Sequence, residues 1–543
     1  MKEGFRQPMA GLHTYSGLLV GWVLFLVFAG GTASYFRDEI TLWMKPELHT
    51  TRPVLPPQAE MAGRAAALLQ QRAPASQRWF ITLPTDREPG IRTSWARPPE
   101  AAASQAGGAR RNRFENVVLD AHTGQPLAKA RETRGGDFLY RLHYDLHYMP
   151  ALWARWIVGF CAMFMLVAIF SGIVTHKRIF KDFFTFRPKK GQRSWLDAHN
   201  VVAVLGLPYH LMITYTGLVT LMFMYMPWGQ QAAYKEDQKT FQAEIFPASG
   251  PRDPKPAGVR AELTPLQPLM AQASAHWGGA PVGRITVNNP NDAAATVILA
   301  RQEGRDISSS HPSMVFDGVS GKLLSTAGET QAAAAQTRGL LYGLHIGRFA
   351  DPLMRALFFL SGLSGCAMVA TGLLLWAVKE RQKYAKAVAQ GGRAGWASRL
   401  VDGLNIGAIA GVPIAIATYF WANRLLPVGM AGRPDMEIQS FFVAWGMATV
   451  AGLAWPARRM WQVQLGIGGL LFAGIPLLNA LTTATHLGVT LPQGLWRVAG
   501  FDLVCLALGL ALLSAGAWLG RRKPATARRV AAPVRTTAAE AMP

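Results

Sequence analysis

Four histidines occupy equivalent places in a duplicated unit, and such a duplication is one way to build two-fold ligand pairs. His143 ends the stretch Leu139-Tyr140-Arg141-Leu142-His143, which follows Leu119-Asp120-Ala121-His122-Thr123-Gly124. His345 ends Leu341-Tyr342-Gly343-Leu344-His345, which follows Phe316-Asp317-Gly318-Val319-Ser320-Gly321. Upstream, His13 opens an apolar run reaching Gly30, and His199 opens one passing Gly217; downstream, Ser171-Gly172 and Thr371-Gly372 close the runs that follow His143 and His345. The unit reads as helix, outer segment, helix, used twice over about 13–178 and 199–380. It places imidazoles in pairs at equal depth in a membrane, where an ionisable group is costly without a partner. Metal ligation is one such partner.

Other histidines compete for the same role. His210 lies eleven residues after His199, a rise of about 16 Å that returns to nearly the same helix face. It is an alternative to His143 or His345 at the outer site. His143 and His147 stand one helical turn apart, so both can face one site. His176, beside Lys177 and Arg178, reads as an ordinary interfacial histidine. Met222, Met224 and Met226 beside Trp228 read as packing or lipid contact rather than a soft-metal site.

These residues need a membrane to position them. Of the 543 residues, 50% are hydrophobic and 16% charged, against about a quarter charged in a soluble domain. Runs near the ~20 residues that span a bilayer lie at about 13–35, 151–176, 199–226, 353–378, 402–421, 438–456, 461–481 and 498–520, which is eight spans. Tyr148, Trp153, Trp156, Tyr225 and Trp228 form an aromatic belt.

Orientation follows from the basic residues of the short loops. The 177–193 loop, the 379–399 loop and the tail after 521 are rich in Lys and Arg, whereas 422–437 and 482–497 carry only Arg424, Arg433 and Arg497. Both termini are therefore expected inside, with 36–150 and 227–352 outside, 402–520 as a C-terminal four-helix region and 521–543 as a cytoplasmic tail. The net charge of +23 is largely this topology signal; no nucleic-acid module accompanies it. The first span is expected to be retained, because its repeat partner at 199–226 is internal. Cys161, Cys366 and Cys505 all fall within spans, which argues against disulfides in the outer segments.

Each outer segment reads as a small α+β domain. In the first, a helix over Ala59–Gln71 precedes strands at Arg78–Leu83, Ile91–Ala96 and Phe114–Leu119; in the second, Leu263–Trp277 precedes Gly283–Asn288, Ala295–Arg301 and Met314–Phe316. The Asp-x-x-Thr/Ser-Gly turn after each third strand is hairpin chemistry. The stretch 97–112 is expected to be a loose loop.

With Leu12-His13, Leu139–His147, Asp197-Ala198-His199 and Leu344-His345, residues of about 8–385 resemble the PepSY-associated transmembrane family. That family includes bacterial inner-membrane, haem-containing ferric-siderophore reductases. The resemblance implies an oxidoreductase with periplasmic PepSY-like domains, and says nothing of the helices after 400. Haem b held by neutral imidazoles from neighbouring helices suits the histidines, because porphyrin supplies the apolar bulk. The expected ligands are His13 and His199 for an inner haem and His143 and His345 for an outer one, with His147 and His210 as competitors. Arg141, Arg155, Arg348 and Arg355 can pair with haem propionates or anchor at the interface. No nucleotide or flavin motif is present, so electrons would come from quinol or a cytoplasmic donor, and the acceptor would be a ferric siderophore. A non-enzymatic PepSY protein that regulates a peptidase is the alternative from another class. A metal transporter is a third, for which Asp502 is the obvious buried acid.

Overall fold

A computed structural model describes residues 4–49, 54–85, 87–97, 114–127, 130–176, 187, 192–246, 255–309, 311–391 and 395–521. Most of the expected 97–112 loop and much of the basic 177–193 loop lie outside the described residues. The duplicated unit forms helices α1 (Arg6–Ser34), α2 (Arg37–Trp43), α3 (Gln58–Arg72), α4 (Gly136–Asp145) and α5 (Ala151–Thr175) in its first copy. The second copy forms α6 (Gln192–Leu205), α7 (Leu207–Thr220), α8 (Leu266–His276), α9 (Ala333–Ile346) and α10 (Pro352–Ala389). Beyond it come α11 (Trp396–Ile409), α12 (Gly411–Leu425), α13 (Arg433–Ala454), α14 (Arg458–Ala473), α15 (Ile475–Thr482) and α16 (Trp496–Arg521).

Among the described residues, six helical stretches are long and apolar enough to cross a membrane, and α6 with α7 makes a seventh, bent by 68°. The bend falls where Gly206 and Pro208 interrupt the run: proline lacks the N–H that would continue the ladder. The remaining expected span, 438–456, lies largely in α13. That helix opens with Arg433, Asp435 and Glu437 and is not among the stretches that pass on apolarity. The described residues thus hold six such stretches, or seven with the bent pair, and support a multi-pass helical membrane protein. In the bundle α1 packs on α4, α5, α10 and α11, and α7 packs on α5 and α9.

The outer segments differ from two separate domains. Strands β1 (Arg78–Thr82), β2 (Ile91–Ala96) and β3 (Phe114–Leu119) come from the first. From the second come β4 (Val282–Asn288), β5 (Thr296–Arg301), β6 (Ser313–Asp317) and β7 (Leu323–Ala327), and all seven form one sheet in the order β3-β2-β1-β4-β5-β6-β7. The seam is the antiparallel pairing of β1 with β4, with Ile81 opposite Ile285. Alternate residues Trp79, Ile81, Ile285, Val287, Val297 and Leu299 turn to one face and bury Met61 and Leu69 of α3 with Leu269 and Met270 of α8 in a single core. One continuous face buries more apolar area than separate three- and four-stranded pieces would, which favours fusion.

The paired turns behave as hairpin chemistry. Asp120 Oδ1 accepts the His122 and Thr123 amides at 2.8 Å each, and Asp317 Oδ1 accepts those of Val319 and Ser320 at 3.0 and 2.7 Å. Gly124 and Gly321 take φ of +68° and +72° to close them. The backbone bond from Ser320 holds the Asp317 carboxyl below its usual value.

Candidate ligand pairs at two depths

The repeat-related histidines lie beside one another in the structure. The rings of His13 and His199 have centroids 6.1 Å apart at 64°, and those of His143 and His345 lie 6.0 Å apart at 28°. Two imidazoles on opposite sides of one metal ion, with bonds of about 2.0–2.1 Å as at zinc, put their ring centres roughly 6 Å apart.

Each ring is held in the same way. His13 Nδ1 lies 2.8 Å from the Ala168 carbonyl, His143 Nδ1 2.7 Å from that of Val27 and His199 Nδ1 3.0 Å from that of Met368. His345 Nδ1 meets Thr216 Oγ1 at 3.2 Å with the Ile213 carbonyl beside it. A carbonyl only accepts, so Nδ1 carries the proton and Nε2 keeps the lone pair that a metal takes. Four residues beyond each of these carbonyls stands a glycine. A Cβ there would come within 3.1 Å of His13 at Gly172, 2.9 Å of His143 at Gly31, 3.2 Å of His199 at Gly372 and 3.0 Å of His345 at Gly217. The missing side chain is the room into which each ring brings its Cε1–Nδ1 edge against the neighbouring helix. Sequence reading placed Gly172, Gly217 and Gly372 at span landmarks without this role. The signal that could have shown it is spacing: Gly31 follows His13, and Gly217 follows His199, by eighteen residues.

Those eighteen residues of α1 also set the separation of the two levels, about 27 Å at 1.5 Å per residue. No group of three or more His, Cys, Asp or Glu suited to a metal ion occurs among the described residues. A metal at either pair would draw two protein ligands from it, and its other positions would be filled from outside these side chains. The outer pair lines a cavity of about 550 Å³ walled by Gly31, Gly159 and Gly217, with Tyr35, Tyr209 and Met165 around it. This volume falls in the range of sites for drug-sized ligands and cofactors.

At its outer end the cavity meets Arg37, Arg87, Arg155 and Arg348 and the Glu303–His311 loop of the second outer segment. Arg155 Nε donates to Asp145 at 2.8 Å, and Arg348 Nη1 to both Glu303 oxygens at 2.9 and 2.8 Å. Arg355 reaches Glu39 at 2.5 Å, with Arg87 on the other side of that carboxylate at 3.4 Å. Burial would raise both neighbouring acids. It does raise Asp38 despite Arg87, whereas Arg87 and Arg355 together hold Glu39 low. Burial also lowers the His311 imidazole. Arg141 is exposed and does not line this cavity.

Two competing histidines are placed elsewhere. His210 is fully buried in the bend of α6 and α7, where Ser364 Oγ lies 3.2 Å from its Nε2, and it does not line the outer cavity. A Cβ at Gly206 would fall 2.4 Å from its ring, so the break in the span makes its space. His147 is not one helical turn above His143, because α4 ends at Asp145 and Leu146, His147 and Tyr148 take φ of 51°, 60° and 49°. Its ring stacks on Phe442 at 5.6 Å instead. Asp502 accepts Trp43 Nε1 and Asn479 Nδ2 at 2.9 Å each, as a satisfied structural acid does. It is not alone, since Glu437 of α13 is equally buried.

Comparison with known proteins bears on the duplicated unit. The model of the PepSY-associated TM region matches residues 10–379. A Pseudomonas aeruginosa protein described as uncharacterized is 25% identical over 405 residues, covering 72% of this chain and 96% of its own length. The family-model match, residues 10–379, spans all four paired histidines and both outer segments and ends before α11. The chain belongs to the PepSY-associated transmembrane family.

Proposed function

We propose that this chain is a haem b electron-transfer protein of the bacterial inner membrane that reduces ferric iron on the periplasmic side. The substrate would be a ferric siderophore, and the electrons would come from quinol or a cytoplasmic donor. The observation that carries the reading is the pair of two-imidazole sites, each with ring centroids about 6 Å apart. Haem, when bound, would supply one-electron redox chemistry and nitrogen donors of its own, which fits sites that offer two protein ligands each.

The chain's own residues do the rest. Carbonyls of Ala168, Val27 and Met368, and Thr216 with Ile213, occupy the four Nδ1 atoms and so leave each Nε2 as the nitrogen free to ligate. Arg155 and Arg348 at the cavity rim are placed to meet propionates, in competition with Asp145 and Glu303. The outer cavity reaches the Glu303–His311 loop, so an acceptor held by the outer sheet would approach the outer pair. Siderophore oxygens are hard ligands that favour Fe(III), so reduction by one electron loosens the chelate. The basic loops orient both termini toward the cytoplasm.

The test is the visible spectrum of the purified, detergent-solubilised protein, oxidised and dithionite-reduced, with haem counted per chain. Sharp low-spin bands near two haems per chain are expected. Replacing His143 or His345 by alanine should remove one haem and ferric reduction together. A colourless protein after expression with ample haem would refute the reading.

A further inference from the structure

The helices beyond the family match reach across to one of the four histidines. We propose that α12 and α13 form a brace that positions His143, and only His143, in the outer pair. This rests on the reading of that pair as a ligand site.

His143 sits on α4, and the segment 131–136 leading into α4 is tied to the added helices at successive residues. Arg131 Nη1 donates to the Asn423 carbonyl at 3.0 Å, and Arg433 Nη1 to the Glu132 carbonyl at 2.9 Å. Thr133 Oγ1 donates to Glu437 at 2.5 Å, and the Tyr419 hydroxyl to the Gly135 carbonyl at 2.9 Å. Phe138, in the first turn of α4, packs on Tyr419 and Phe441 with centroids 4.9 and 5.2 Å away. The opposite side is fixed by α2: a Cβ on Gly136 would sit 2.2 Å from the Arg37 carbonyl, and the Gly136 amide donates to Thr41 Oγ1 at 2.9 Å.

At the centre of the brace Arg433 and Glu437, both 0% exposed, form an ion pair one helical turn apart, and Asn423 Nδ2 donates to the same carboxylate at 2.8 Å. A buried pair of this kind is a poor source of net stability compared with packed apolar residues. Here its bonds run to the segment before α4, which is where a positioning role puts them.

The second copy of the unit is held differently. Its α9, carrying His345, packs on α7, and residues between β5 and β6 of the sheet supply further contacts. The Ser309 amide donates to the Gly339 carbonyl at 3.1 Å, and the Ile307 carbonyl lies where a Cβ of Gly343 would be. The two ligands of one site are thus referenced to different bodies, His345 to the outer domain and His143 to the C-terminal helices. A displacement of α12 or α13 would alter the 28° angle between the outer rings. The inner pair hangs on α1, α5, α6 and α10 and would not follow.

The experiment uses full-length protein carrying Thr133→Val, Thr133→Ser or Tyr419→Phe, none of them residues of the ligand site. Hydrogen exchange is read at amides of α4 and α9 with or without haem. Loss of one buried hydrogen bond is expected to speed exchange in α4 about tenfold, leave α9 unchanged, and be rescued by Thr133→Ser. Redox titration and low-spin electron paramagnetic resonance should show a shifted outer centre, identified by its absence in His345→Ala, beside an unshifted inner one. Unchanged α4 exchange in both Thr133→Val and Tyr419→Phe would overturn the brace, as would equal changes in α4 and α9 or in both centres. A protein that binds no haem would instead sink the reading of the site, and exchange alone would still decide the brace.

Discussion

Replacing Gly31 by alanine adds one carbon 2.9 Å from Cε1 and Nδ1 of His143, whereas the same change at Gly372 leaves 3.2 Å to Cε1 of His199. Carbon atoms in contact prefer about 3.5–4.0 Å, so the His143 ring must retreat by roughly half an ångström while the His199 ring needs only a few tenths. Retreat stretches the 2.7 Å bond to Val27 that sets the His143 tautomer. Overpacking of this kind costs about 1–3 kcal/mol. If that cost falls on the bound state, outer-site affinity for haem drops about 5- to 150-fold, at 1.4 kcal/mol per decade. Helix propensity acts with the opposite sign: alanine favours the helix over glycine by about 0.8–1.0 kcal/mol. The expected outcome is therefore split. Gly31→Ala should purify folded with close to one haem per chain, the inner signal intact, and Gly372→Ala should keep two. Haem quantitation with reduced-minus-oxidised spectra reads both. Full haem in Gly31→Ala, with a melting temperature raised as propensity alone dictates, would refute the idea that the glycine makes room for a ligand.

Two further outcomes concern the outer half. Burial lowers the His49 imidazole to about 4 from an ordinary 6.5, with Thr485 Oγ1 and the Leu42 carbonyl on its two nitrogens. The unfolded chain therefore binds the extra proton first as pH falls. Stability from the neutral ring is complete above about 6.5 and is lost down to about 4, a span worth about 3 kcal/mol. His49→Gln should flatten that slope in denaturant melts between these pH values; an unaltered slope would show that His49 does not titrate with folding. Trp79, 1% exposed in β1 and donating to the Ala73 carbonyl at 2.8 Å, lies in the seam between the halves. Trp79→Ala should cost about 3–5 kcal/mol and raise hydrogen exchange in β2 and in β5 together. Exchange confined to the first half would mean that the single sheet does not fold as a unit.

The difference between what was legible and what was not follows the range of the signal. Pairing of equivalent histidines could be read because duplication repeats whole helices, and the β1–β6 segments could be read from local alternation. Joining β1 to β4 could not, because those strands are about two hundred residues apart and nothing local marks their register. The separation of His147 from His143 was hidden because Leu146, His147 and Tyr148 take positive φ without a glycine. The second copy does mark the corresponding break, with Gly347 at φ +67° two residues after His345, so alignment of the copies held the hint. The partners of α13 were not legible either: Arg433 and Glu437 lie at its start, but only the fold shows both bonded inside the protein to the segment that leads to His143.

The same residues explain why the two sites are one device rather than two adjacent ones. α1 carries His13 for the inner pair and, eighteen residues on, the Gly31 cradle and Val27 carbonyl for the outer pair. In the second copy His199 and the Gly217 cradle are likewise eighteen residues apart, but on α6 and α7 with the bend between them. A core histidine needs one partner; here a carbonyl and a glycine four residues later recur against all four rings. The first copy ties both levels to one unbroken helix, which holds their separation. The second has a break between its levels, at Gly206, so the relative setting of His199 and His345 depends on the packing of α6 on α10 and of α7 on α5 and α9. Under the proposed brace, the copy with the unbroken helix is also the one that α12 and α13 hold, which would make His143 the fixed reference of the outer pair and His345 the partner able to adjust.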